Sequence, residues 1–511
     1  MMHDREKSDS PIVATKPTNG GGRPRPEPVE PRGEAEGNAR QPSTLRTPSR
    51  DGVTAGLERV RTAARLKKKE RFTALLHHVG ADLLRQAYSW LKQDAAAGVD
   101  GVTWEEYGVD LDRQLADLHA RIHRGSYRAQ PSRRHYIPKP DGRQRPLGVA
   151  AVEDKVVQRA VVEALNAIWE EDFLGFSYGF RPGRGQHDAL DALAVGIETR
   201  AVNWILDADI AGFFDAVSHD WLMRFVEHRI GDRRIIRLIR KWLKAGVMEA
   251  GQVKATTAGT PQGAVISPLL ANIYLHYVFD LWAERWRRRE ATGDMIIVRY
   301  ADDIVVGFRH KGDAERFWSE MARRLATFAL TLHPDKTRLI EFGRRAAADR
   351  DGRGLGKPET FDFLGFTHIC ARSRAGRFQL RRRSRRDRMR GKLREIRDAF
   401  WQHRHAPLDE QGSWLQQVVR GFFAYHAVPT NSTALSEFRG IVAWHWLRAL
   451  RRRGQRDSTS WASINRLVER WIPRPRILHP WPSQRFAVKH PRWEPDAGVP
   501  LVRFCAGGAQ Q

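Results

Sequence analysis

Cysteine is scarce in this sequence, with only Cys370 and Cys505 in 511 residues. That excludes a disulfide framework and a four-cysteine zinc site, and no CxxC pair is present. Long apolar runs are missing too. No uncharged stretch reaches the roughly 18 residues of a membrane span. The nearest approach, residues 265–282, is interrupted by Ser267, Pro268, Asn272, His276 and Asp280 and reads as a core helix. An apolar leader is absent from the first residues, so no secretory signal is expected and a cytosolic protein is predicted. Residues 1–50 contain no Phe, Trp or Tyr and eight prolines. Such a segment buries too little apolar surface to offset its ordering entropy and is predicted to be disordered.

Acidic residues fall well short of basic ones. Lys and Arg number 87 against 60 Asp and Glu, a net charge of 87 − 60 = +27. That excess points to a polyanionic partner, nucleic acid first. Hydrophobic content of 41% over this length allows a sizeable core, and the length suggests about three domains.

The pattern along the chain then separates into regions. Residues 56–90 read as helical around Lys67, Lys68 and Lys69. Residues 133–149 read as strands about a Pro140-Asp141-Gly142 turn, and 153–170 as helix. Residues 202–210 alternate, with Val202, Trp204, Leu206 and Ala208 on one face and Asn203, Ile205, Asp207 and Asp209 on the other. Two apolar runs, 295–298 and 304–308, flank Arg299-Tyr300-Ala301-Asp302-Asp303 and predict a hairpin with two carboxylates at its tip. The central region is α+β, a sheet covered by helices. After Phe366 the chain becomes basic and mostly helical. Residues 381–404 hold eleven Lys/Arg against three Asp/Glu. Trp414, Val418 and Phe422 keep helical spacing, and loops and short elements are expected from Pro473 onward.

The chemistry concentrates on carboxylates. Adjacent Asp302 and Asp303 in a tight turn repel each other, and each costs free energy to desolvate unless a cation compensates. Hard Mg²⁺ is the natural partner of carboxylate oxygens. On its own an Asp-Asp pair is better explained by an ordinary solvated turn. Asp209, at the end of an apolar strand, would add a third carboxylate and make a two-metal phosphoryl-transfer site. Asp207 shares its strand face and is the rival ligand, while Asp215 falls at the next segment, where Ser218 is placed to cap a helix.

Taken together, Ala208-Asp209-Ile210 through Asp215, Thr260-Pro261-Gln262-Gly263 with Ser267-Pro268-Leu269-Leu270-Ala271-Asn272, and Tyr300-Ala301-Asp302-Asp303 resemble the ordered motifs of reverse transcriptases. The chain most resembles bacterial group II intron reverse transcriptase/maturases over about residues 55–511. Further matches are Ile137-Pro138-Lys139 with Arg145-Pro146-Leu147-Gly148, Tyr178-Gly179-Phe180-Arg181-Pro182-Gly183, Pro334-Asp335-Lys336-Thr337 and Phe363-Leu364-Gly365-Phe366.

The resemblance implies a right-hand polymerase fold of the α+β class, with fingers, palm and an N-terminal extension over 51–370. It implies a helical thumb or maturase domain over 371–455 and a short basic, aromatic segment over 456–511 that binds DNA. It also implies RNA-directed DNA synthesis on intron RNA, with assistance to splicing. Two Mg²⁺ ions would be held by Asp209, Asp302, Asp303 and the Ile210 carbonyl. Lys139, Arg145, Phe214, Gln262 and Lys336 would contact the incoming dNTP, Phe214 as a steric gate against the ribose 2′-hydroxyl. Phe363–Phe366 would be a primer grip, and the loop at Asp100 and Gly101 would cover template RNA.

The partners implied are template and intron RNA, a DNA primer and target, and dNTPs, with no membrane and with nucleoid association when on DNA. The HNH nuclease carried by many relatives is expected to be absent. Arg382, Arg385, Arg386 and Arg390, at helical spacing, would form an RNA-binding stripe, with Tyr425 nearby for packing or stacking. Two other readings stay open from sequence: a splicing maturase with little polymerase activity, and a reverse transcriptase recruited to phage defence.

Overall fold

A computed structural model describes residues 49–138, 144–249, 251–255, 258–260, 262–453 and 460–489. The expected disorder of 1–50 falls almost wholly outside them, as do Lys139, the Pro140-Asp141-Gly142 turn and Pro261.

The strands in chain order are β1 (Ser132–Pro138), β2 (Gln144–Val149), β3 (Trp204–Asp209), β4 (Val247–Glu249), β5 (Gln252–Lys254), β6 (Met295–Tyr300), β7 (Asp303–Phe308), β8 (Arg338–Glu341), β9 (Phe361–Phe363), β10 (Phe366–Arg372) and β11 (Phe378–Ser384). They form three sheets with orders β2-β1-β4-β5, β6-β7-β3-β8 and β11-β10-β9. The second is antiparallel throughout and carries the carboxylates.

Every residue of β6 is buried, and all of β7 after Asp303. Both faces of these strands are therefore covered, which is why the sequence shows continuous apolar runs there rather than alternation. In β3 the alternation is real. Leu206 and Ala208 pack into the larger core with the helix Val152–Asp172. Ile205 faces a second core with Val298, Tyr300, Val305 and the helix Gln186–Thr199. A third core joins the helices Arg386–Gln402, Leu408–His426, Ser432–Arg451 and Trp461–Trp471 around the fully buried Trp446. Its indole Nε1 donates to Gln411 Oε1 at 2.9 Å, which satisfies the ring's one polar atom.

Two expectations change. Residues 56–90 do not form one helix. The helix Ser49–Leu66 ends before the lysine run, and a second begins at Ala81. Buried Arg229 donates to the carbonyls of Lys67 and Glu70, so the backbone of the bend is satisfied without a helix. The basic region after Phe366 also opens on strands, not helix. β10 pairs with β11 from Phe366↔Ser384 to Arg372↔Phe378. The 265–282 stretch is a core helix as read, with a π-helical turn at His276–Asp280.

The segment after 456 has two described parts. The helix Trp461–Trp471 joins the third core. Phe486, in the helix Pro482–Lys489, enters the second core beside the helix Gln186–Thr199.

Candidate active site

The sheet register brings the acidic residues together. β6 and β7 are joined by a two-residue turn, Ala301-Asp302, closed by Tyr300↔Asp303. On the other side of β7, Asp303 lies opposite Asp209. Asp207 is two residues back on the same face, opposite Val305 and Arg338. Asp209, Asp303 and the turn residue Asp302 thus meet at one end of the sheet.

That turn is strained and held from below. Ala301 sits at φ 55, a region non-glycine residues seldom occupy. Beneath it lies Arg299, fully buried. Its guanidinium donates to Asp280 at 2.7 and 2.6 Å, to Asn272 Oδ1 at 3.0 Å, to Ser177 Oγ at 2.6 Å and to the Ala301 carbonyl at 3.0 Å. Asn272 in turn donates to the Gly179 carbonyl at 2.7 Å. A Cβ on Gly179 would come within 2.3 Å of the Ala301 nitrogen, so only glycine fits against the turn.

Sequence reasoning passed over Arg299, Asp280 and Ser177. The signal was a charged residue inside each of two apolar runs, which requires a buried partner.

Like charges shape the site. Asp303 reaches solvent on one side while protein desolvates it on the other. That desolvation, then repulsion from Asp302, Asp209 and Asp207, raises its carboxyl to about 7, and Lys336 opposes the rise. Burial and then Asp209 push Asp302 upward, against its own backbone N–H and the charges of Arg145 and Arg299. Burial also raises Asp207 to about 7, with Arg338 opposing and Asp362 and Asp209 adding to it. Lys336 Nζ donates to Asp209 Oδ2 at 2.7 Å, whereas Arg338 stands 3.8 Å from Asp207.

Among the described residues no three acidic or histidine side chains converge on a single point at metal-ligand spacing. The fit to a divalent cation rests on donor chemistry. Three carboxylates supply the oxygen donors a hard cation prefers at one sheet end, and their mutual repulsion is what a bound cation would relieve.

The other sequence-predicted residues surround this end. Ile210 is buried and bridges to Leu332. Phe214 lies half-buried in the short helix Phe213–Ala216 that follows β3, and its carbonyl accepts from Thr260 N at 2.8 Å. The Gln262 carbonyl accepts from Gly148 N on β2 at 2.6 Å. Thr260 is thus tied to Phe214, and Gln262 to β2. Arg145 is exposed on β2, near enough that its charge lowers Asp302. Ser218 caps the helix His219–Arg229.

At the hairpin read as a primer grip, Leu364 and Gly365 form the β9–β10 turn with φ 45 and 77. Tyr425 Oη donates to the Leu364 carbonyl at 2.7 Å. Asp100 accepts from Val102 N, and Thr103 forms a capping box with Glu106.

The arginine stripe requires correction. Arg382 is not on a helix and faces no solvent. It lies on β11, 2% exposed, with its guanidinium on Asp191 Oδ1 at 2.9 Å. Strand alternation turns Leu380, Arg382 and Ser384 inward and Arg381 outward. Arg385 precedes the helix and pairs with Asp387 and Asp362 at 2.7 and 3.4 Å. Arg386 and Arg390 are exposed on the helix Arg386–Gln402, and Arg394 and Arg397 continue their face.

Comparison with known proteins gives these features a family. Residues 137–368 match the model of the reverse transcriptase (RNA-dependent DNA polymerase) family. Protein YkfC of Escherichia coli K12 is 35% identical over 317 residues, 55% of this chain and 78% of that protein. The group II intron-encoded protein LtrA of Lactococcus lactis is 36% identical over 222 residues, 43% of this chain but only 37% of LtrA. Nuclear intron maturase 3 of Arabidopsis thaliana is 30% identical over 173 residues, 30% of this chain and 24% of its own. The chain therefore belongs to the reverse transcriptase (RNA-dependent DNA polymerase) family, and within it is similar to the group II intron-encoded protein LtrA.

Proposed function

We propose that this chain synthesises DNA on an intron RNA template at the sheet end formed by Asp209, Asp302 and Asp303, and that it binds that RNA to assist splicing. The observation that carries the reading is the register placing Asp209 opposite Asp303, with Asp302 in the intervening hairpin turn. On this reading the region around β3, β6, β7 and β8 is the palm. The β1–β2 pair belongs to the fingers, and the helices after β11 form the thumb.

Asp209 and Asp302, with Asp303 and the Ile210 carbonyl beside them, would hold two Mg²⁺ ions that activate the primer 3′-hydroxyl and neutralise the triphosphate. The protein's own part is positional. Arg299 holds the Asp302 turn rigid from beneath. Arg145, and Lys139 in the same segment, supply cations for the triphosphate oxygens. Lys336, which donates to Asp209 Oδ2 at 2.7 Å, would be available to the triphosphate oxygens if a cation balanced that carboxylate. Phe214 presents its ring under the sugar, and Gln262 packs near the new base pair.

The test is primer extension by the purified chain on an RNA template with Mg²⁺ and dNTPs. RNA-dependent extension to full length is expected. Tight RNA binding with no extension would instead favour a splicing maturase without polymerase activity.

A further inference from the structure

At the far end of the helical region two tryptophans stand in solvent. Trp401, at the end of the helix Arg386–Gln402, is 56% exposed, and Trp444, on the helix Ser432–Arg451, is 41% exposed. Neither belongs to the core beneath them, which is filled by Phe400, Trp446 and Leu450. Guanidinium groups lie over both rings. Arg404 and Arg452 stand 5.1 and 5.5 Å from the Trp401 ring centre, and Arg448 stands 4.7 Å from that of Trp444. The Arg452 contact joins the two helices into one patch.

Acid stays at the edge of the patch, where Asp398 pairs with Arg397 at 2.9 Å. Residues 399–407 and 438–453 contain no Asp or Glu. Beside Trp444, with ring centres 5.0 Å apart, the His445 imidazole is pushed down by burial and then by the charges of Arg397 and Arg448, with Asp398 opposing. The exposed stripe of Arg386, Arg390, Arg394 and Arg397 runs along the same helix toward Trp401.

Among the described residues no carboxylate pairs with Arg404, Arg448 or Arg452, and large exposed indoles beside such guanidinium groups are costly on a surface that touches only water. They suit a ligand with flat rings and a negative backbone. A guanidinium over an exposed ring is weakly held, so it exchanges readily for a phosphate while a base takes the ring face. Bases inside a duplex have their faces already stacked, so this chemistry selects unpaired nucleotides.

We propose that Trp401 and Trp444, with Arg404, Arg448 and Arg452, form a stacking platform for unpaired nucleotides of a folded RNA, one base on each indole. The platform is separate from the sheet-end carboxylates and adds single-strand selectivity to the phosphate contacts of the arginine stripe. It rests on the reading of the chain as an RNA-templated polymerase.

The test compares full-length parent, Trp401→Ala, Trp444→Ala and the conservative Trp401→Phe by fluorescence anisotropy. The probes are a labelled 12-nucleotide unpaired RNA, the same sequence as DNA, and a blunt RNA duplex. Each alanine variant is expected to weaken binding of the unpaired RNA about tenfold, with unchanged duplex affinity, salt slope and melting temperature. Trp401→Phe should retain most of the affinity. Arg448→Gln should flatten the salt slope by about one unit. Unchanged affinity for unpaired RNA in both alanine variants overturns the platform. So does equal loss on the duplex, or a loss confined to the DNA strand. Primer extension at saturating primer–template reports separately on the polymerase reading and should stay within about twofold of the parent in these variants.

Discussion

At the residue scale the decisive feature is the pairing of Arg299 with Asp280, both wholly buried, under a turn whose tip carries Asp302. Removing one member of such a pair leaves an uncompensated buried charge. Arg299→Met should therefore destabilise the fold by about 3–5 kcal/mol, read by urea denaturation. Asp280→Leu in the same chain should restore a large part of that loss, because two apolar side chains replace two charges. Recovery of stability without recovery of primer extension would show that Arg299 positions the turn as well as stabilising it. Phe214 offers a second test. Phe214→Val is expected to raise ribonucleotide incorporation relative to deoxynucleotides, since the smaller side chain leaves room for a 2′-hydroxyl. Unchanged discrimination in an active variant would make Phe214 a packing residue only. Phe214 already packs edge-on to Phe213 and against the larger core, so the assay decides which role dominates.

At the element scale the sequence was legible where one period ruled a segment. The hairpin of β6 and β7 could be read from two apolar runs flanking residues 299–303, although the turn itself is only Ala301-Asp302, and β3 from its alternation. The β10–β11 pair could not. Its inward positions are Leu380, Arg382 and Ser384, so the alternation that marks a strand was broken by a buried arginine. The partner of its guanidinium, Asp191, and that of its backbone N–H, Thr430, lie far away in sequence. The lysine bend at 67–69 was hidden in the same way, since its carbonyls are taken by Arg229 from another helix.

This difference between the arginines is measurable. Arg382→Gln should destabilise the protein by about 3–5 kcal/mol through the stranded Asp191 and leave the salt dependence of RNA binding unchanged. Replacing Arg386, Arg390 and Arg394 by Gln should do the reverse. The log-affinity versus log-salt slope should flatten by roughly 2–3 units with the melting temperature preserved. A slope unaltered by the triple change would mean that this helix face meets only solvent.

At the scale of the whole molecule, a net charge of +27 is consistent with a chain that holds polyanions at several places. Acidic residues stand at the sheet end and opposite the buried arginines Arg181, Arg229, Arg299 and Arg382. A family match could be anticipated from the ordered motifs, but the support beneath the site could not, because Ser177, Asn272, Asp280 and Arg299 meet only through the fold. The central claim is that Asp209 and Asp302, rather than the neighbouring Asp207, are the metal-holding pair. The most direct measurement is RNA-templated primer extension with Mg²⁺ by three variants, Asp209→Ala, Asp302→Ala and Asp207→Asn, alongside their thermal melting. The first two should lose extension by at least about a thousandfold while melting at or above the parent temperature, because like-charge repulsion is relieved. Asp207→Asn should extend within a few-fold of the parent. Near-parental extension by Asp209→Ala, with loss in Asp207→Asn, would contradict the assignment and move the metal site two residues back along β3.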